Sequence, residues 1–177
     1  MNVEISPKSK LLSIGSNAFQ GCVSLVSIEI SFINTLKFID SNAFYNCYSL
    51  ESISIPAGVK FISDNAFSNC KSLATVVIAT GVKSIGQYAF SQCSSLSSVT
   101  IPSTVSSIGY NAFSQCSSLS SIMIPTGVIT ISDYAFQSCN SLKTVTIPAS
   151  VVTIGNFSNY YFHHLHHHHY YSRQWCI

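Results

Sequence analysis

Residues 101–122 read IPSTVSSIGYNAFSQCSSLSSI, and most of the chain repeats this pattern with small changes. The pair Ala112-Phe113 within it has five counterparts, and successive pairs are separated by 25 residues once and by 23 residues thereafter. Every pair begins the string A-F-x-x-C-x-S-L, in which the Cys and the Leu keep their positions in all six copies. Such a repeat predicts a solenoid in which each copy forms one coil.

Each copy carries a short segment with the spacing of a strand. Leu119, Ile122 and Ile124 follow the pattern L-x-x-I-x-I, and alternate side chains of an extended chain point to the same side. Pro125 then ends the run, because proline cannot donate a hydrogen bond to a neighbouring strand. The segment therefore predicts a strand with its Leu and Ile side chains directed inward.

A second extended segment precedes each Ala-Phe pair, with the pattern V-x-x-I in four copies and L-x-x-I in the first two, and is followed by Gly, Asp or Ser. These residue types are common at helix N-caps, so a helical turn is predicted at N-A-F-x-x-C, with Phe and Cys at i and i+3 on one face. Asp40, Asp64 and Asp133 lie in or beside the cap position. We expect their carboxylates to accept hydrogen bonds from the first amides of these turns.

One copy cannot close a core, because its apolar residues all lie on one side of a thin coil. Stacking the copies places equivalent residues above one another, which predicts a repeat solenoid of the α/β type with short parallel strands, helical turns and about six full repeats. Residues 1–10 are assigned to a partial N-terminal strand, 11–155 to the solenoid and 156–177 to an irregular tail. Neither end carries a unit with a polar outer face, so two interpretations stay open: the chain is part of a longer array, or it self-associates through its uncapped ends.

The composition excludes several classes of protein. Charged residues make up only 8% of the chain and the formal net charge is +2, so no electrostatic footprint for nucleic acid or an anionic membrane is visible. No apolar run approaches the roughly 18 residues that cross a bilayer. Residues 1–10 lack the basic segment and apolar stretch of a secretory signal peptide. The sequence therefore predicts no nucleic-acid partner and no transmembrane segment.

The cysteines that recur in the repeat occur once per copy and lack the paired C-x-x-C spacing of zinc sites. Stacking would bring neighbouring cysteines to about 5 Å, but parallel Cβ vectors give poor disulfide geometry. We expect a ladder of reduced thiols that fills the core. The ladder comprises Cys22, Cys47, Cys70, Cys93, Cys116 and Cys139, and Cys176 stands outside the register.

The repeats hold little that could carry catalysis. The six carboxylates of the chain accompany no nucleophile motif, and every histidine falls in the tail. The repeats are thus left without an acid or base of suitable pKa. The interpretation is a protein that is not an enzyme and uses no cofactor.

The strand side chains that alternate with the core positions form a candidate binding face. Most carry small hydroxyl groups, which cost little entropy to bury and offer many weak hydrogen bonds at regular spacing. This suits contact with an extended partner, but Ser and Thr are also the common filler of solvated solenoid strands, and both interpretations stay open. The candidate residues are Ser52, Ser54, Thr75, Val77, Ser98, Thr100, Ser121, Met123, Thr144 and Thr146.

After Gly155 the pattern fails, and the chain continues as an aromatic and histidine-rich tail. Tracts rich in histidine bind Zn²⁺ or Ni²⁺ when deprotonated, which makes metal binding one hypothesis for the tail. A purification tag is a second, and a frameshifted seventh repeat is a third, since residues 157–160 (FSNY) resemble residues 67–70 (FSNC). The candidate ligands are His163, His164, His166, His167, His168 and His169.

The combined pattern, L-x-x-I-x-I followed by P-x-x-V-x-x-I-G-x-x-A-F-x-x-C-x-S, resembles the leucine-rich repeats of BspA-like surface proteins over roughly residues 11–155. The resemblance implies a right-handed leucine-rich-repeat coil, a cell-surface or secreted location, and adhesion to host proteins or other cells. A cytoplasmic location stays open because no signal peptide is visible.

The leading hypothesis is therefore a binding module whose candidate binding face contacts a protein or another extended macromolecule. The alternative is a structural or decaying repeat without a selected ligand. Metal binding through the tail is the third hypothesis.

Overall fold

The computed structural model describes residues 1–6 and 8–156, which form a solenoid of short parallel strands joined by turns. One coil corresponds to one copy of the sequence repeat. The strands are β1 (Asn2–Glu4), β2 (Ser13–Ile14), β3 (Ser27–Glu29), β4 (Phe38–Ile39), β5 (Ser52–Ile55), β6 (Phe61–Ile62), β7 (Thr75–Ile78), β8 (Ser84–Ile85), β9 (Ser98–Thr100), β10 (Ser107–Ile108), β11 (Ser121–Met123), β12 (Thr130–Ile131), β13 (Thr144–Thr146) and β14 (Thr153–Ile154).

The strands build two sides of the solenoid. The odd-numbered strands form the side that we call the first sheet, where they pair as β1–β3, β5–β7–β9 and β11–β13, and β5 also lies against β3. The even-numbered strands form the second sheet, a seven-stranded parallel sheet that runs in chain order from β2 to β14. Partners such as Ile53 and Val76 stand one repeat apart, so the predicted stacking of the copies is confirmed.

The core lies between the two sheets and the turns that connect them. Leu119, Ile122 and Ile124 are buried, as the strand pattern predicted, and Val105 and Ile108 of the V-x-x-I segment are buried with them. Because each of these positions recurs in every coil, the core is one continuous column along the solenoid.

The phenylalanines of the Ala-Phe pairs form a continuous stack inside this core. Neighbouring ring centroids lie between 5.1 and 5.6 Å apart, and their planes differ by no more than 9°. These separations fall in the range of favourable aromatic pairs. The stack consists of Phe19, Phe44, Phe67, Phe90, Phe113 and Phe136.

The predicted helical turn at N-A-F-x-x-C is wrong: the described part of the chain contains no helix, and this segment is a series of tight turns. Asn42 and Asn46 adopt left-handed conformations with φ of 57° and 62°. Phe44 N–H donates to the Ala66 carbonyl of the next coil at 2.8 Å, whereas Cys47 N–H donates within its own coil to the Phe44 carbonyl at 3.1 Å. In a helix these amides would donate hydrogen bonds within the segment, whereas stacking directs alternate amides to carbonyl groups of the next coil.

The predicted capping role of the aspartates is corrected for the same reason. Asp64 Oδ1 accepts a hydrogen bond from Gln87 N–H at 2.8 Å, and Asp133 Oδ1 accepts one from Asn156 N–H at 2.7 Å. Both amides belong to the following coil. Asp40 instead contributes its backbone carbonyl to a turn within its own coil. The two carboxylates therefore fasten neighbouring coils together, because no helix start is present for them to cap.

Candidate binding surface

The candidate binding face lies on the first sheet, where its side chains form two columns along the solenoid. Parallel strands are spaced by about 4.8 Å, so each column presents one side chain per coil at that interval. One column contains Ser52, Thr75, Ser98, Ser121 and Thr144, and the other contains Ser54, Val77, Thr100, Met123 and Thr146.

The predicted outward orientation of this face is confirmed. Nine of its ten side chains are exposed and Ser54 is half-buried. Val77 and Met123, its two apolar members, are 51% and 72% exposed. None of its eight hydroxyl groups forms a side-chain hydrogen bond with another residue of the described chain, so all are available to a partner. Binding of a ligand at these residues stays a prediction.

A small apolar cleft interrupts the candidate binding face between β9 and β11. These two strands lie against each other but do not belong to one hydrogen-bonded sheet. The cleft has a volume of about 240 Å³ and is lined by Val99, Thr100, Ile101, Met123 and Pro125. Sequence analysis missed this cleft, because β9 and β11 carry the same strand pattern as their fully paired neighbours.

The N-terminal end of the first sheet is acidic. Glu4 and Glu29 are direct partners on β1 and β3, and both side chains are exposed. The Glu29 carboxylate accepts hydrogen bonds from the Ser31 hydroxyl and from Ser31 N–H, and these bonds lower the pKa of Glu29. The carboxylate is therefore ionised at neutral pH, and the hydroxyl-rich columns adjoin a negatively charged end.

The cysteine ladder is a set of free thiols, as predicted. All its members are buried except Cys22, which is half-buried. Cys93 Sγ donates a hydrogen bond to the Phe67 carbonyl at 3.2 Å, and burial raises the pKa of Cys93 to about 12. Burial and the neighbouring Cys139 thiol also raise the pKa of Cys116. A thiol that stays protonated at neutral pH is a poor nucleophile, so Cys93 and Cys116 act as core filler.

Metal binding finds no support in the described residues. Among residues 1–6 and 8–156, no group of three or more His, Cys, Asp or Glu side chains could hold a metal ion. The six candidate histidines of the tail lie outside this part of the chain. Residues 157–160, on which the frameshift hypothesis depends, lie outside it as well. The same residues include no helical segment with the length and hydrophobicity needed to cross a bilayer.

Comparison with known proteins places this geometry among bacterial repeat proteins. The family described as "BspA type Leucine rich repeat region" matches with six copies over residues 2–94 and 60–172. No protein with a curated description matches the chain.

Solved structures give the same picture. A leucine-rich repeat protein from Bacteroides ovatus is 31% identical with a TM-score of 0.71, and the match covers 89% of this chain but 48% of that protein. The leucine-rich repeat protein of T. pallidum is 32% identical with a TM-score of 0.79, over 87% of this chain and 72% of that one. A leucine-rich cell surface protein from Faecalibacterium prausnitzii is 22% identical with a TM-score of 0.59, over 90% and 60% of the two chains, and shows the fold alone. This chain thus spans about half the length of the Bacteroides ovatus protein.

Proposed function

This chain belongs to the BspA-type leucine-rich repeat family, and from that premise we propose that it is a non-enzymatic module that binds another protein through the candidate binding face. The observation that carries the proposal is the pair of exposed columns on the first sheet, whose hydroxyl groups are not used within the fold. A surface of this kind repeats the same weak contact in each coil, which favours a partner that extends along the solenoid.

Such a contact would gain its binding free energy from many weak hydrogen bonds and from one apolar side chain that fills a pocket. Ser and Thr side chains lose little rotamer entropy when a partner covers them, so each hydrogen bond retains most of its free energy. Interfaces also concentrate their binding energy where an apolar side chain fills a desolvated pocket. The cleft beside Met123 and Pro125 is suited to that role. We therefore place the centre of the interface at β9 and β11, within the candidate binding face.

The proposal includes a cell-surface or secreted location. The family supports it, and the Faecalibacterium prausnitzii protein with the same fold is described as a cell surface protein. Partners in that location include the proteins of an extracellular matrix, and adhesion to such proteins is the finer form of the proposal.

A charge-insertion experiment tests the proposed face. The double variant Ser98→Glu, Ser121→Glu places two carboxylates at its centre without disturbing buried residues. The matched control is Gln92→Glu, Gln115→Glu, which adds the same charge to the same two coils at exposed turn positions away from the candidate binding face. Binding of the unmodified chain and both variants to a panel of purified extracellular-matrix proteins is measured by biolayer interferometry.

We expect the Ser98, Ser121 variant to lose at least about tenfold in affinity, because each carboxylate would be desolvated without a partner. The control variant should bind as the unmodified chain does. Equal binding by the two variants would refute this face as the interface. Absence of binding to every protein of the panel, with the fold intact by circular dichroism, would favour the alternative of a structural repeat without a selected ligand.

A further inference from the structure

Three lysines stand one above another beside the second sheet. Lys60 N–H donates to the Lys37 carbonyl at 3.1 Å, and Lys83 N–H donates to the Lys60 carbonyl at 2.7 Å. These backbone bonds fix the three residues at the same position of three successive coils, about 4.8 Å apart. We call Lys37, Lys60 and Lys83 the lysine row.

Two exposed aromatic rings lie next to the lysine row. Phe38 and Phe61 follow Lys37 and Lys60 in sequence and are direct partners on β4 and β6. They are 47% and 48% exposed, whereas the corresponding position on β8 is occupied by Ser84. The fold therefore tolerates a small polar residue here, and the rings are not needed to fill the core.

No carboxylate of the described residues forms an ion pair with a lysine of the row. The ammonium groups of Lys60 and Lys83 form no hydrogen bond or ion pair with a described residue, and Lys37 Nζ reaches only the Asn34 carbonyl at 3.3 Å. Like charges on neighbouring strands repel one another, so the row destabilises the folded chain unless anions lie against it. A ligand with regularly spaced anions would remove this repulsion.

We propose that the lysine row and the two rings form a second binding surface, which takes a linear anionic polysaccharide with carboxylate or sulfate groups along its chain. Acidic groups recur along such a glycan, and the flexible lysine side chains can reach those on the side that faces the row. The C–H faces of the sugars pack on the exposed rings. This surface is separate from the candidate binding face, which lies on the first sheet.

Other polyanions match the surface less well. An extended acidic peptide can neutralise the lysines, but it offers no sugar C–H faces to the two exposed rings, so it matches only part of the surface. Nucleic-acid binding draws on a broad basic surface, and the formal net charge of the whole chain is only +2.

The test uses isothermal titration calorimetry with defined glycans at low ionic strength. The acidic probes are an oligogalacturonate, which carries carboxylates, and a heparin oligosaccharide, which carries sulfates, so the two sources of negative charge are compared directly. The neutral control is the methyl-esterified oligogalacturonate. Single-stranded oligothymidylate and polyglutamate serve as competing polyanions.

The central variant is Lys37→Gln, Lys60→Gln, Lys83→Gln. Its matched control, Lys8→Gln, Lys71→Gln, Lys143→Gln, removes the same charge from lysines outside the row. A second variant, Phe38→Ser, Phe61→Ser, introduces the residue that already stands at Ser84. All variants change outward side chains, and their fold is checked by circular dichroism.

We expect at least one acidic glycan to bind, with the row variant weakening binding about tenfold or more and the control changing it less than about twofold. The phenylalanine variant should weaken binding several-fold, and high salt should weaken it further because it screens exposed charges. Ser98→Glu, Ser121→Glu should leave it unchanged, which separates this surface from the proposed protein-binding face. The proposal is overturned if neither glycan binds, if the esterified glycan binds equally well, if the row and control variants behave alike, or if oligothymidylate or polyglutamate binds the row more tightly than both glycans.

Discussion

Replacing Phe90 by Ala removes the middle of the aromatic stack and should destabilise the solenoid strongly. The ring is fully buried, and its centroid lies 5.3 Å from that of Phe67 and 5.3 Å from that of Phe113. Truncation of a buried Phe to Ala typically costs about 3–5 kcal/mol. We expect a value in the upper half of that range, because Phe90 N–H is bonded to the Ala112 carbonyl at 2.8 Å and the backbone cannot collapse into the cavity.

The matched control is Phe61→Ala, which makes the same chemical change at a ring that is 48% exposed on the second sheet. Truncation of a side chain at such an exposed position should lower the free energy of unfolding by less than about 1 kcal/mol. Equilibrium urea denaturation followed by circular dichroism gives the free energy of unfolding of both variants and of the unmodified chain. A loss below about 2 kcal/mol for Phe90→Ala, or an equal loss for Phe61→Ala, would show that the stack does not stabilise the core.

Two further predictions concern the thiols and the glycines. Burial raises the pKa of Cys93 from an ordinary value of 9.0 to about 12, so this thiol contributes its full stability below about pH 9 and loses it as the pH rises towards 12. The free energy of unfolding of the unmodified chain exceeds that of Cys93→Ala by a margin that should therefore narrow by about 2 kcal/mol between about pH 8 and pH 10.5, as measured by urea titrations. An equal loss of stability in the two proteins over this pH range would contradict the prediction. A Cβ added at Gly127 would overlap the Ser103 carbonyl oxygen, whereas one added at Gly15 meets nothing within 4 Å. Gly127→Ala should lower the free energy of unfolding by about 1–3 kcal/mol and Gly15→Ala should not, so equal thermal melting of the two variants would be inconsistent with the close approach of the coils.

Much of the fold could be predicted from the sequence because the pattern of one coil occurs six times along the chain. The inward positions of Leu119, Ile122 and Ile124 follow from the alternation of an extended chain, and the structure buries all three. The same alternation predicted the outward orientation of the candidate binding face, including Ser98 and Ser121. Local periodicity decides which side of a strand a side chain takes, so these features needed no knowledge of neighbouring coils.

The turn segment shows where local reasoning fails. N-A-F-x-x-C has the residue types of a capped helical turn, but stacking gives alternate amides such as that of Phe44 a partner in the next coil. The carboxylate of Asp64 is redirected to Gln87 for the same reason. Local propensity contributes less here than the hydrogen bonds that every added coil supplies, and no single copy of the repeat contains those bonds.

Periodicity within one repeat was therefore enough to predict the coil, its core and the side of the first sheet that faces the solvent. The stacking of equivalent residues was predicted as well, but only the folded chain shows which backbone and side-chain groups of neighbouring coils bond to one another. It separates β9 from β11 and opens the cleft beside Met123. It also leaves Phe38 exposed and Lys37 half-buried between buried Leu36 and Ile39, although the 23-residue spacing from Lys37 to Lys60 was already visible in the sequence. Contacts between coils depend on the hydrogen bonds and packing of the stacked chain, which the residues of one coil cannot specify.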